Sequence, residues 1–390
     1  MLSTFVFVTW NGGGNVTPAL GIARTLAERR HTVTFLGEET QQGRIEAAGF
    51  AFTAYTRRPD WDDAPPHTPA EWQRRLMRTI WMNDGLADDL TAVLAREPSD
   101  LVVVDCMLAG VLANSSRFGV PTAVLVHSLF ASLLDTRDAL LAMGNRLRVE
   151  AGPAALDTTA MQWEHQGLVL VTTLREFDGV TADPAPQVRY VGPVFEQQPM
   201  PSGWRLPWDQ DDPRPLVVAS FSTMAGQASP VRLQLVLDAT AHLLLRVLLT
   251  TGPLSPKALT IPPNAAVVDY VPHAAVLPHA ALAINHAGHG SVMAALAHGV
   301  PLVCLPGLGA DQGIIVERVE ALGAGRALPG QASADELRSA VEQVMAIPAY
   351  REAAGRLARL IRQEDGAANS ASALETYVAS LPKKTMPSTS

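Results

Sequence analysis

The sequence predicts two doubly wound, Rossmann-like α/β domains facing each other across a cleft. Three observations predict it: β-rich runs alternate with helical patterns from the first residues, a proline-dense stretch interrupts them near mid-chain, and the alternation then restarts. Residues 5–9 form a first strand that runs into a glycine loop. A helix over 18–30 follows, with Thr17 as cap, Pro18 at the first helical position, and Ala19, Ile22, Ala23, Leu26 and Ala27 on one apolar stripe. A strand over 32–37, a helix near 41–48 and a strand over 50–54 complete a βαβαβ unit. Residues 101–104 and 122–126 are apolar enough to be central strands buried on both faces, and Asp105 ends the first of them.

Between Gly192 and Pro215 closely spaced prolines with Gln and Asp among them read as linker chemistry. The first domain is therefore placed at 1–200, the linker at 201–215 and the second domain at 216–365. Strands over 216–221, 246–250, 266–268, 282–285 and 301–305 build the second domain, with helices after Pro230 and Gly290. Ser333 and Glu336 form a capping box ahead of Leu337, Ala340, Val341, Val344 and Met345. A last helix over 366–381 is free to pack back on the first domain, and 382–390 reads as a disordered tail.

Composition narrows the function classes. Hydrophobic residues make up 47% of the 390 and charged residues 17%, which leaves no basis for disorder or coiled coil. Thirty basic against 38 acidic side chains give a net charge of −8, which opposes nucleic-acid binding. Cys106 and Cys304 each adjoin an apolar strand, so a disulfide framework or thiolate metal site is not expected, and a reducing, cytoplasmic setting fits. The start lacks the basic region of a signal peptide. The most apolar later stretch, 233–251, contains Asp238, His242 and Arg246, so no membrane span is expected.

The most informative segment runs from Asp269 to Gln312. In it a strand leads into His286, Ala287, Gly288, His289, Gly290 and Ser291, which open a helix. Glycines let backbone N–H groups approach an oxyanion, the helix N-terminus adds partial positive charge, and His286 and Ser291 add side-chain donors. That is an anion site suited to phosphate. A plain strand-to-helix turn is the competing reading.

The ordered motifs VPH, HAGHGS, HGVP and PGxGADQ in this segment resemble the sugar-nucleotide signature of the UDP-glycosyltransferase superfamily, glycosyltransferase family one. The resemblance is to its actinobacterial macrolide and natural-product members in particular. It implies the GT-B fold, with an acceptor-binding first domain and a nucleotide-sugar-binding second domain. It further implies an inverting, metal-independent transfer from a UDP- or dTDP-sugar, which is a co-substrate and no bound cofactor, to a hydrophobic small molecule. By the same resemblance His286, Gly288, Gly290 and Ser291 surround the diphosphate, and Asp311 and Gln312 bind hydroxyls of the donor sugar. Tyr270 and Val271 lie against the nucleobase, and Ser222 and Thr223 touch diphosphate or base. For Tyr270, core packing is an equal alternative.

The first loop departs from the family. Where members carry a basic histidine before the first helix, this chain has Asn15, and an amide cannot accept the proton. The family's partner aspartate is matched by Asp105. Three readings stay open: Asp105 is itself the base, directly or through water; the acceptor ionises readily; or activity has been lost. The first is preferred, with His127 as fallback. Trp61, Trp81, Met107, His127 and Phe130 are candidates for the acceptor wall, with ordinary packing as the alternative for each. A catalytically silent homologue that binds nucleotide and assists a partner is the main alternative function. A nicotinamide- or flavin-dependent oxidoreductase fits poorly, because Thr17 stands where a third glycine is needed. Donor base, sugar, acceptor atom and the existence of a homodimer are not legible.

Overall fold

The computed structural model describes residues 2–58, 69–158, 163–180, 183–195, 203–209, 211–221, 229–307, 309 and 311–382. The first lobe is built on β1 (Thr4–Val8), β2 (Thr32–Gly37), β3 (Ala51–Ala54), β4 (Leu101–Asp105), β5 (Thr122–Val126), β6 (Leu168–Val171) and β7 (Val188–Tyr190). These pair in the order β3-β2-β1-β4-β5-β6-β7, all parallel. The second lobe contains β8 (Leu216–Ser220), β9 (Arg246–Thr250), β10 (Ala265–Val268), β11 (Ala280–Asn285), β12 (Leu302–Cys304) and β13 (Gly325–Ala327). Their order, β10-β9-β8-β11-β12-β13, repeats that of the first six strands of the other lobe, again all parallel. In each sheet the order reverses beside the first strand, between β1 and β4 and between β8 and β11, and crevices open at the carboxyl ends of strands at such points.

Each sheet is covered on both faces, which is why its central strands are apolar throughout. Val6, Val8, Val102 and Val104 face one layer of the first lobe, and Phe5, Phe7, Leu101 and Val103 face the other. Leu129, Leu174 and Phe177 of the first lobe pack into the second lobe's core with Val292, Met293 and Ile315. Arg318 fastens the same junction by donating from Nε to the carbonyl of Phe177 and from a terminal nitrogen to that of Glu176.

Local differences from the sequence reading have physical causes. The first helix spans Val16–Glu28, two residues earlier than its proline suggests, because Asn15 and not Thr17 occupies the N-cap position. The Asn15 side chain does not cap that helix; it turns into the lobe. The strands β6, β7 and β13 have three or four residues each, too few for a periodic signal. The capping box of Ser333 and Glu336 is formed in both directions, at the start of the helix Ala334–Ala346.

The last described helix, Gly366–Ser380, is capped by Asp365 and lies on the first lobe. Ala371 and Leu374 are fully buried in that lobe's core, and Glu375 pairs with Arg29 at 2.7 Å and His31 at 2.8 Å. Among the described residues no helix is long and apolar enough to cross a membrane.

Candidate active site

Asp105 ends β4 and is 2% exposed. A buried carboxylate is costly unless its lone pairs are met, and here they are. Oδ1 accepts from the Trp10 indole at 3.1 Å and the Met107 amide at 2.9 Å. Oδ2 accepts from Asn15 at 3.0 Å and from Nδ1 of His127 at 3.0 Å. Burial alone would raise this carboxyl, but the charge of His127 and the hydrogen bonds from His127, Met107 and Asn15 overcome it and hold the group below the usual carboxylate range. Burial likewise works to lower His127; the Asp105 charge and hydrogen bond outweigh it and lift the imidazole well above its ordinary value.

Three adjacent strands position this cluster. β1 leads to Trp10 and Asn15, β4 ends on Asp105, and β5 stops one residue before His127. The β4–β5 register sets Asp105 opposite Leu125, so His127 leans back from two residues further along. Gly12 permits the close fold of the first loop, since a Cβ there would lie 2.6 Å from the Trp10 ring. Asn15 closes that loop by accepting from the Gly12 amide and donating to the Trp10 carbonyl. It is thus fully used and 4% exposed.

Asp105, Cys106 and His127 offer ligand-type atoms within 4.8 Å of one another. Both Asp105 oxygens are already engaged twice and Nδ1 of His127 faces the carboxylate, while burial raises the Cys106 thiol. This donor set is organised as a hydrogen-bonded cluster.

Beside it lies a small, open apolar recess lined by Met77, Trp81, Met82, Cys106, Met107 and Trp163 among others. A π-helical turn, Met77–Trp81, carries Met77 and Trp81 to it. Trp81 packs edge-on to Trp10 with ring centroids 5.6 Å apart, and among the described residues its buried indole N–H has no hydrogen-bond partner. Phe130 is buried against Trp163, and its amide donates to Asp178. Of the sequence-predicted wall, Trp81 and Met107 line the recess, Phe130 packs behind it, His127 is not among its lining residues but touches Cys106, which is, and Trp61 lies outside the described residues.

Across the cleft, β11 turns into the helix His289–Ala297. The left-handed residue of the turn is Ala287, at φ 61°, and not one of its glycines. Asn285 Oδ1 holds it by accepting from the Ala287 amide at 2.8 Å. Gly288 is the N-cap, and a Cβ on it would lie 2.7 Å from Nε2 of His286. Ser291 donates to the Gly288 carbonyl, and Gly290 is exposed. Nδ1 of His286 and Nε2 of His289 are buried and, among the described residues, have no hydrogen-bond partner. Burial and then the nearby Arg232 charge press His286 down to about 4, while burial and the His127 charge press His289 down to about 3.

Asp311 receives a 2.6 Å hydrogen bond from Ser128, the residue after His127, so the loop after β12 touches the first lobe beside the buried cluster. Gln312 is 3% exposed and its side-chain oxygen accepts from the Gly307 amide, which makes it a staple of its own loop. Tyr270 is 55% exposed, whereas the Val271 side chain is buried in the second lobe's core and leaves only its backbone to face a ligand. Ser222 and Thr223 lie outside the described residues.

Sequence reasoning missed Ser128 and Arg232. Arg232 stands in the first turn of the helix Pro230–Thr240 and donates to the carbonyls of Leu305 and Pro306. A cation so early in a helix, against the helix dipole, was the available signal.

Comparison with known proteins fits this geometry. Residues 234–374 match the family described as Erythromycin biosynthesis protein CIII-like, C-terminal domain. The chain is 27% identical to 4'-demethylrebeccamycin synthase of Lentzea aerocolonigenes, over 90% of this chain and 93% of that one. It is also 27% identical to demethyllactenocin mycarosyltransferase of Streptomyces fradiae, over 96% and 86%. Among solved structures, CalG4, the calicheamicin glycosyltransferase, superposes with a TM-score of 0.76 at 26% identity, covering 97% of this chain and 99% of that one. The chain is a glycosyltransferase of GT-B fold with an erythromycin-CIII-like C-terminal domain.

Proposed function

We propose that this enzyme moves a sugar from a UDP- or dTDP-sugar to a hydrophobic natural-product acceptor, inverting the anomeric carbon without a metal ion. One observation supports the reading: the turn at His286–Ser291 stands close enough to the Asp105–His127 cluster of the other lobe for the His127 charge to act on His289, and the Ser128–Asp311 hydrogen bond joins the two lobes beside them. The acceptor class is supported by what the relatives are called, a rebeccamycin synthase, a mycarosyltransferase and a calicheamicin glycosyltransferase.

On this reading the helix N-terminus, the amides after Gly288, His286 and the nearby Arg232 charge take up negative charge as the nucleoside diphosphate departs. Asp311 exchanges its Ser128 partner for a sugar hydroxyl. Tyr270 lies against the nucleobase, and Met77, Trp81 and Met107 hold the acceptor's apolar body. With positive charge supplied by the protein, the leaving group needs no divalent cation.

The second reading, a silent homologue that binds nucleotide and assists a partner, is favoured by the amide of Asn15 at the usual base position. Intact-mass detection of product separates the two. UDP- and dTDP-sugars are incubated with polyketide, macrolide and phenolic acceptors, with and without EDTA. The expected result is an acceptor heavier by one sugar residue at a rate unchanged by EDTA. A large loss of turnover in EDTA would remove metal independence, and no product from any pair would favour the silent homologue.

A further inference from the structure

Resting on that reading, we propose that His127 is the base that takes the acceptor's proton, with Asp105 as its positioning carboxylate, so that the catalytic imidazole has moved from the first loop to the end of β5. Asp105 is too well satisfied to serve as the base itself. Four donors occupy its oxygens, and it is 2% exposed. His127 differs in both respects. Its side chain keeps 18% of its surface open. Only Nδ1 is engaged, toward Asp105 at 3.0 Å and Cys106 Sγ at 3.8 Å, and among the described residues Nε2 has no hydrogen-bond partner. With Nδ1–H donating to the carboxylate, the lone pair of the neutral ring lies on Nε2, the arrangement a general base requires.

Its neighbours place it at the reacting centre. Cys106, in contact with the imidazole, lines the acceptor recess. Ser128, next in the chain, binds Asp311. Asn15 fills the vacated position as a fixed donor: it holds the same carboxylate oxygen that orients His127. In the step itself the acceptor hydroxyl proton passes to Nε2 while its oxygen bonds to the anomeric carbon. The bond from that carbon to the diphosphate oxygen breaks, its electron pair leaves with the nucleoside diphosphate, and the imidazolium later returns its proton to water.

The pH dependence follows from the groups around the ring. Asp105 and Cys106 face it from the end of β4, and His289 faces it from the helix His289–Ala297. The Asp105 carboxylate holds His127 protonated to a higher pH than a free histidine, so kcat/KM rises with pH through an acid limb that lies above 6.5. Removing the carboxylate charge lowers that limb.

The experiment compares wild type, His127→Asn, His127→Gln and Asp105→Asn with an alcohol acceptor and a nitrophenol acceptor, and titrates each with UDP and dTDP. The alcohol rate is expected to fall on the order of 10²- to 10⁴-fold in both His127 variants with diphosphate affinity retained. The nitrophenol, already ionised, should recover most of that loss. Asp105→Asn should lose roughly 10²-fold and move the acid limb to lower pH. An alcohol rate within threefold of wild type in the His127 variants overturns the assignment. So does an equal loss with both acceptors, which marks a purely structural role. If neither His127 variant folds, the wild-type profile decides, and a flat kcat/KM between pH 6 and 9 contradicts the base. Absence of product from wild type itself would instead count against the proposed function.

Discussion

At Asn15 one amide holds three things together: the Gly12 amide, the Trp10 carbonyl and the Asp105 carboxylate. Each is buried or half-buried, so truncation leaves unmet polar groups behind. Asn15→Ala should destabilise the protein by about 1–3 kcal/mol, read as a lower urea midpoint, because it strips hydrogen bonds from a buried charge. An unchanged midpoint would mean the first loop is held by other contacts. Asp105 and His127 were each legible as polar residues that end apolar strands. Their pairing was not, because it depends on β4 and β5 being neighbours in the sheet with Asp105 opposite Leu125, a tertiary fact. Asp105 stands out in the sequence because it matches the family's partner aspartate while Asn15 replaces the histidine. Its fourfold satisfaction in the structure is what shifts the assignment to its neighbour.

Among the elements, the turn from β11 into the helix His289–Ala297 was the most readable, since glycines at a helix start carry a defined electrostatic meaning. Its detail was not readable. The left-handed position falls on Ala287, where Asn285 compensates with a hydrogen bond, and Gly288 is needed for space, not for a positive φ. A Cβ at Gly288 lands on the imidazole of His286, so Gly288→Ala must push that ring from its place. Short strands such as β7 and β13 escaped detection because three residues cannot show a period. The helix Phe130–Glu150 lines the apolar recess with Arg137, Leu140 and Leu141 and announces itself with no cap of its own.

Over the whole molecule, the two lobes meet through Leu129, Leu174 and Phe177 packed among second-lobe residues, through Arg318, and through Ser128 against Asp311. Buried neutral histidines cluster on this side of the second lobe: His286 is pressed down to about 4 and His289 to about 3, and burial also lowers His273. An unfolded chain protonates these rings near 6.5, whereas the folded one keeps His286 and His289 neutral until well below that. Between pH 6.5 and about 4 the unfolded state therefore binds more protons, and stability falls as pH falls, by up to about 1.4 kcal/mol per pH unit for each fully neutral ring. The Asp105–His127 pair acts outside that window. The depressed Asp105 loses its stabilising effect only as pH falls through its low folded value. The raised His127 loses its own only as pH climbs through its high one. Melting temperature should thus drop steadily from pH 6.5 to 4.5, and a flat profile by calorimetry would show that the histidines are hydrated.

The proposed transfer requires a diphosphate seat at the amino end of the helix His289–Ala297. Isothermal titration of UDP and dTDP into wild type and Gly288→Ala tests it directly. Saturable one-site binding by at least one nucleotide, weakened about tenfold or more in the variant, corresponds to a loss of about 1.4 kcal/mol or more and is the predicted result. No heat from either nucleotide, or equal affinity in both proteins, would contradict it.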